Sequence, residues 1–116
     1  PYYATYVSKV ADADILQVLR EQGDAFRGLF ARVPDDKRLF AYADGKWTLA
    51  EVIQHISDAE RVFAYRALRV ARGDTIALPG FEQDDWIPTS EANTRSLTSL
   101  VDEFSAVRAA SIALFA

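Results

Sequence analysis

Apolar residues recur at helical spacing in three long segments of the chain. In the first segment they fall at Ile15, Leu19, Phe26, Leu29, Phe30 and Val33. In the second they fall at Val52, Ile56, Ala59, Phe63, Ala67 and Val70. In the third they run from Leu97 to Phe115. A period of three to four residues is typical of an amphipathic α-helix, whereas a strand alternates. The pattern therefore predicts an all-α protein with three long helices.

The start and end of the second helix carry the clearest local signals. Thr48-Leu49-Ala50-Glu51 is a capping box, in which the Thr hydroxyl accepts a hydrogen bond from a free amide of the first turn and the Glu side chain reaches back. Trp47 precedes this cap as a candidate hydrophobic staple. Gly73 ends the pattern, because glycine tolerates the left-handed conformation that closes many helices. We predict the second helix from about Thr48 to Arg72.

The other segment ends are less sharply marked. Asp12 or Asp14 can cap the first helix, and Pro34 stops it because proline cannot continue a helix interior. The third helix is predicted to start between residues 90 and 94. Residues 73–90 contain prolines, glycines and paired acidic residues, so we predict a long loop there.

Helices with one apolar stripe bury that stripe against other helices. We expect a single bundle domain over residues 1–116, with nearly antiparallel neighbours. The apolar pattern of the third helix reaches Ala116 without a stop signal. We therefore expect a four-helix arrangement whose fourth helix is missing from these residues, and so a bundle that is incomplete at its C-terminal side.

The composition of the 116 residues narrows the classes of function. Acidic side chains outnumber basic ones by 17 to 13, without a basic run, which disfavours nucleic acid as a partner. The absence of cysteine excludes disulfides and zinc–thiolate sites within the chain. No apolar run approaches the roughly 20 residues that span a bilayer, and no signal peptide is evident. We expect a cytoplasmic protein that does not bind membranes.

His55 is the chain's single histidine and its first candidate for chemistry. Glu51 lies four residues before it and Asp58 three residues after it, so the three share one helix face. A histidine beside a carboxylate can ligate a metal or act as a general base. One helix turn alone supplies too few ligands for a tight first-row metal site. The alternative is a structural, hydrogen-bonded histidine.

Arg66 follows His55 on the same side of the second helix, at the spacing 55, 59, 62 and 66. It is a candidate for binding an anionic ligand, and the alternative is an exposed face stabilised by ion pairs. Trp86 and the segment Pro79-Gly80-Phe81 either line a pocket mouth or hold the long loop on the bundle. A separate aromatic set is predicted to lie in the core: Phe26, Phe30, Phe63 and Phe104.

The run Lys46 to Arg61, KWTLAEVIQHISDAER, resembles the second helix of the DinB-like superfamily, which includes the YfiT-type proteins. The segments 65–66, 71–74 and 78–81 resemble the end of that helix and the crossover after it, and 104–108 resembles the third helix. The resemblance implies an up-up-down-down four-helix bundle, often a homodimer.

The resemblance also implies a divalent metal, nickel or zinc, held by three histidines. His55 matches the first of them, and the other two lie on the fourth helix in His-x-x-x-His spacing, which this sequence lacks. Such a metal keeps an open position that lowers the pKa of a bound water or thiol. In this scheme Glu51 or Asp58 orients His55, and Arg66 binds a low-molecular-weight thiol cofactor.

The implied activity is that of a thiol-dependent S-transferase or a hydrolase acting on a small molecule. The alternative is a non-catalytic helical module for dimerisation or small-molecule binding. The two differ in whether metal is bound and whether His55 is needed for more than stability.

Overall fold

The computed structural model describes residues 2–116 and places helices in the three predicted segments. The described residues form five α-helices and contain no strand. These are α1 (Ala4–Val7), α2 (Ile15–Ala31), α3 (Leu49–Ala71), α4 (Gln83–Ser90) and α5 (Leu97–Phe115). Two 3-10 turns lie between them, at Asp35–Leu39 and Ala92–Thr94. The all-α prediction is confirmed.

The caps of α2 and α3 follow the local sequence signals. The Asp14 carboxylate accepts hydrogen bonds from the amides of the first turn of α2, so Asp14 is the cap. Thr48 and Glu51 form the predicted capping box at the start of α3. Gly73 has φ of 74° and ends α3. The amides of Gly73 and Asp74 donate back to carbonyls of the last turn, as in a Schellman motif.

The segment predicted as one long loop contains a further helix. α4 occupies its last eight residues, includes Pro88 and buries Ile87. The helix was hidden because it is short and carries a proline, and because one buried apolar residue gives no periodic stripe. The start of α5 was also predicted too early. Residues 92–94 form the 3-10 turn, and the Ser96 hydroxyl caps α5 by accepting from the Ser99 amide.

The direction of the helices differs from the up-up-down-down expectation, which is wrong for this chain. On α2, Leu19 contacts Arg108 of α5 and Arg27 contacts Ser105, so α2 and α5 are antiparallel. On α3, Gln54 contacts Glu103 and Glu60 contacts Arg108, so α3 and α5 are parallel. The first two long helices therefore run in opposite directions, and the second and third run in the same direction.

The crossover between α3 and α5 explains the parallel pair. It carries the chain from the end of α3 back to the end at which α3 began. There the Thr48 hydroxyl bonds to the Asn93 side chain, and the Leu97 amide donates to the Asp35 carboxylate. Since α3 and α5 start at the same end of the bundle, they are parallel neighbours. The expectation that all neighbours are antiparallel fails for this reason.

The core lies where α5 packs between α2 and α3. Its buried residues are Ala50, Ile53, Ala92, Leu97 and Leu100, with Phe26, Phe30, Val33 and Leu49 packed against them. Phe104 is 2% exposed and stacks on Phe26 with ring centroids 4.1 Å apart. Phe63 was wrongly predicted as core, because 60% of it is exposed.

Two different faces of α3 are apolar or buried, and the sequence stripe marks only one of them. The buried face faces α5 and consists of Ala50, Ile53, Gln54 and Ser57. The stripe predicted as the core face includes Val52, Phe63 and Val70, which are all exposed. Within residues 2–116 the stripe is only partly covered, since its other members Ile56, Ala59 and Ala67 are half-buried. The apolar periodicity therefore identified a face of α3 that is able to pack, but α5 packs against the other face, which carries Ala50 and Ser57.

Ser57 gives a stability prediction at the interface of α3 and α5. Its Oγ is buried and has no hydrogen-bond partner within residues 2–116. We expect Ser57→Ala to raise the free energy of unfolding by about 0.5–1 kcal/mol, because an unsatisfied hydroxyl no longer has to be buried. Urea unfolding measures the change. The matched control is Ser99→Ala, which removes an acceptor of Arg95 and should destabilise; a loss of stability in Ser57→Ala would contradict the prediction.

Candidate functional site

The exposed stripe of α3 forms one wall of an open groove. The groove has a volume of about 360 Å³ and runs between α2, α3 and the end of α5. His55, Ile56, Ala59 and Phe63 line it on α3, and Leu19 and Phe115 line it from the other helices. It therefore combines an apolar surface with the chain's single histidine.

His55 is half-buried at this groove and is held by an aromatic contact. Its ring lies 4.9 Å from the Trp47 ring, centroid to centroid, at an interplanar angle of 50°. The capping box at Thr48 fixes the backbone that joins Trp47 to α3. No hydrogen bond to either imidazole nitrogen comes from the residues that the structure describes. The ring is thus oriented by packing, while its nitrogens stay available to a ligand.

The carboxylates predicted to orient His55 bind other partners. Glu51 accepts a hydrogen bond of 3.0 Å from the Thr48 amide in the capping box. Asp58 accepts one of 3.0 Å from the Gln54 amide group and lies 3.8 Å from Arg61. Neither makes a hydrogen bond to His55. Three residues on one helix face need not bond to one another when closer partners compete.

Glu60 also lines the groove but is bound by arginine. Arg108 of α5 holds its carboxylate through Nε and Nη2, with the shortest contacts at 2.9 Å. The Nη1 of Arg108 donates to the Leu19 carbonyl on α2, also at 2.9 Å. Both side chains are largely buried. This ion pair ties three helices together beneath the groove, which makes Glu60 a structural residue.

The described residues do not form a metal site by themselves. Among them no group of three or more His, Cys, Asp or Glu side chains is placed to hold a metal ion. His55 supplies one nitrogen donor, and Glu60, whose carboxylate lines the same groove, is neutralised by Arg108. A stable first-row site needs three or four ligands from several elements. The described residues of the groove provide only one of these ligands, the imidazole of His55.

Arg66 lies on a different cavity from His55. The two residues are on one side of α3 but roughly three turns apart, which is about 16 Å along the axis. Arg66 faces a cavity of about 670 Å³ between α3 and residues 78–90. Its Nη2 donates to the Pro79 carbonyl at 3.1 Å. The structure therefore does not bring His55 and Arg66 together.

The predicted pocket-mouth residues line this second cavity. Phe81 and Trp86 stack with centroids 4.7 Å apart, and both belong to its wall. Pro79 contacts α3 through Arg66. The two sequence interpretations are thus both realised, since the segment packs on α3 and also lines a pocket.

A polar cluster at the base of this region was not predicted. Glu103 of α5 accepts hydrogen bonds from Arg95, Arg61 and Gln54. Partial burial acts to raise the pKa of Glu103, but these three donors outweigh it and lower the pKa to about 2. Its members come from α3, α5 and the turn before α5, so no sequence spacing could have found the cluster.

The depressed pKa of Glu103 predicts a loss of stability in acid. The carboxylate stabilises the fold while it is ionised above its unfolded pKa, and that contribution is lost as pH falls from about 5 towards 2. After allowance for solvent screening, we expect the loss to be about 1–2 kcal/mol. Urea unfolding of the wild type and Glu103→Gln at several pH values measures it. Parallel pH profiles for the two proteins would contradict this assignment.

Comparisons with known proteins agree with the fold. Residues 18–116 match the family model described as the DinB superfamily. A protein of Geobacillus thermodenitrificans (strain NG80-2) named "Putative metal-dependent hydrolase" is 32% identical over 79 residues, which is 68% of this chain and 44% of that relative. The chain therefore spans less than half of the relative's length. No solved structure gave a significant match.

One membrane property follows from the helices themselves. Over residues 2–116, none of them is both long enough and apolar enough to cross a bilayer.

Proposed function

Because the chain belongs to the DinB superfamily, we propose that it forms part of a metal-dependent hydrolase that acts on a small molecule, with His55 as one metal ligand. The observation that carries this proposal is that the imidazole of His55 faces an open groove without a described hydrogen-bond partner. Trp47 orients the ring on an open groove, and no described residue bonds to its nitrogens. A structural histidine in a helix would be expected to have a hydrogen-bond partner.

The remaining ligands have to come from outside these 116 residues. We propose that a further helix of the same protein packs on the groove and brings them to His55. Ile56, Ala59 and Phe63 offer that helix an apolar surface beside the histidine. The similar hydrolase is more than twice as long as the part that this chain matches, which is consistent with an additional helix. The His-x-x-x-His spacing implied by the family resemblance would serve this role.

Hydrolysis is preferred to thiol transfer as the reaction. Both were implied by the family resemblance, and the name of the similar protein supports hydrolysis. Arg66, the residue expected to bind a thiol, faces another cavity, and it lies about 16 Å along α3 from His55. A thiol cofactor bound at Arg66 would thus lie away from the proposed ligand.

The alternative remains a non-catalytic helical module. The packing of the Trp47 ring against His55 favours it, because an aromatic contact gives His55 a packing role without a metal. In that case, metal chelation changes neither ligand binding nor stability.

A chelation experiment separates the two functions. The protein as the cell makes it is assayed against 4-nitrophenyl esters and anilides of small acids before EDTA treatment, after it, and after addition of nickel or zinc. The proposed hydrolase loses turnover with EDTA and regains it with one of the metals. No hydrolysis of any substrate with nickel or zinc added would favour the module. Hydrolysis that is insensitive to EDTA would contradict the metal dependence of the proposed reaction.

A further inference from the structure

The cavity between α3 and residues 78–90 has the properties of a small-molecule site. Its volume of about 670 Å³ lies within the usual range for ligand pockets. The wall opposite α3 is apolar and aromatic, with Leu78, Pro79, Phe81 and Trp86. Trp86 is 42% exposed, so an aromatic face is open to an entering molecule. The cavity is separate from the groove that holds His55.

Arg66 is the wall residue whose charge lacks compensation. Within residues 2–116, no carboxylate lies within 4.0 Å of its guanidinium, and its one hydrogen bond goes to the Pro79 carbonyl. The guanidinium carbon lies 5.7 Å from the Phe63 ring centroid and 5.8 Å from that of Phe81. These rings hold the group in place and leave most of its five N–H donors for a ligand.

The other charged groups of the wall, Asp58 and Arg61, already have partners, and so does the Tyr65 hydroxyl. Asp58 accepts from Gln54 and lies near Arg61. Arg61 in turn donates to Glu103 at 2.5 Å. The Tyr65 hydroxyl accepts a hydrogen bond of 3.1 Å from Arg69. What the cavity lacks is thus a negative charge at Arg66.

We propose that this cavity binds a small monocarboxylate with an aromatic body. The carboxylate takes the free donors of Arg66, since planar guanidinium and carboxylate groups match in a bidentate pair. The aromatic body lies against Phe81 and Trp86, which already stack with each other. A cationic ligand is disfavoured because Arg66 already occupies the positions over the Phe63 and Phe81 rings.

The two tryptophans allow the site to be located directly. Trp86 lines this cavity, whereas Trp47 contacts His55 at the groove. The experiment titrates 4-phenylbutanoate into ¹⁵N-labelled protein in EDTA and follows both indole N–H resonances by NMR. EDTA keeps the result independent of the metal proposal. We expect the indole N–H resonance of Trp86 to shift saturably and that of Trp47 to keep its chemical shift.

Matched variants and a neutral analogue test the role of Arg66. Arg66→Gln should weaken 4-phenylbutanoate binding by roughly tenfold or more, the usual effect of losing a charge-assisted hydrogen bond. Arg72→Gln removes the same charge at the end of α3, outside the cavity, and should change affinity less than about twofold. The wild type should bind 4-phenylbutanamide about as weakly as Arg66→Gln binds the acid.

Any of the following results would overturn the proposal. They are equal affinity of the wild type for the acid and the amide, equal weakening by Arg66→Gln and Arg72→Gln, and an absence of saturation at millimolar acid. Tighter binding of 3-phenylpropylammonium than of 4-phenylbutanoate would also overturn it. None of these results bears on whether His55 holds a metal.

Discussion

Replacing Arg108 with methionine is expected to lower the free energy of unfolding by about 3 kcal/mol. The guanidinium bonds to both oxygens of Glu60 and to the Leu19 carbonyl, so it joins α5 to α3 and to α2. It also lies 5.0 Å from the Phe104 ring. Its removal leaves the carboxylate of Glu60, which is 15% exposed, without a counter-ion. An unpaired and mostly buried charge costs more than the lost contacts.

A double mutant separates this cost from the loss of packing. Since Glu60→Leu removes the stranded carboxylate, the Arg108→Met/Glu60→Leu protein should recover a large part of the lost stability. Arg27→Met is the control on the same interface, because Arg27 is exposed and makes one hydrogen bond of 3.3 Å to Ser105. Its effect should stay below about 1 kcal/mol. Urea unfolding measures all four proteins. If the double mutant is less stable than Arg108→Met, the buried-charge explanation is wrong.

The His55→Ala substitution is expected to have the largest functional effect, a loss of bound metal and of at least about a hundredfold in metal-dependent turnover. The effect is large because a catalytic metal ion has few protein ligands. A catalytic site uses about three protein ligands and an open position, so one missing imidazole removes a large share of the binding energy. Stability without metal should change by less than about 1 kcal/mol, because the ring is half-buried and lies beside an open groove.

Asp58→Asn is the matched control for this prediction. Asp58 shares the helix face of His55 in sequence, but its carboxylate binds the Gln54 side chain. The variant should therefore retain its metal. If Asp58→Asn and His55→Ala lose metal equally, then Asp58 belongs to the site and the arrangement described above is wrong. If His55→Ala retains both metal and turnover, His55 is structural.

Local structure was predictable from the sequence wherever a few neighbouring residues determine it. The caps at Asp14 and Thr48 and the glycine stop at Gly73 depend on hydrogen bonds within one turn, and the structure has all three. The stripe of α5 from Leu97 to Val107 was also predicted correctly, because α5 is the central helix and α2 and α3 both pack against it.

Long-range features depend on which neighbouring helix covers a given helix face. The apolar periodicity of the sequence does not contain that information. The stripe through Phe63 looks like a core face, yet α5 packs against the face that carries Ala50 and Ser57. The direction of α5 depends on the length and path of the crossover through α4. The periodicity of α5 itself would be the same in either direction.

In the candidate site, too, local features were predictable and long-range features were not. His55 was identified from its sequence context as a candidate ligand, and the structure places it on an open groove. Its role as a metal ligand stays a prediction. Its separation from Arg66 follows from the rise of the helix, which a helical-wheel comparison ignores. The Glu60–Arg108 and Arg61–Glu103 pairs join residues more than 40 positions apart, so no local spacing indicates them.

We propose His55 as one ligand of a metal held by this protein. The most direct test is the metal content of the protein as the cell makes it, purified without chelators or a histidine tag and measured by elemental analysis beside His55→Ala. If His55 is a ligand, we expect about one nickel or zinc ion per chain in the wild type and almost none in the variant. Equal metal content in the two proteins, or a wild type without metal after reconstitution with nickel and zinc, would contradict it.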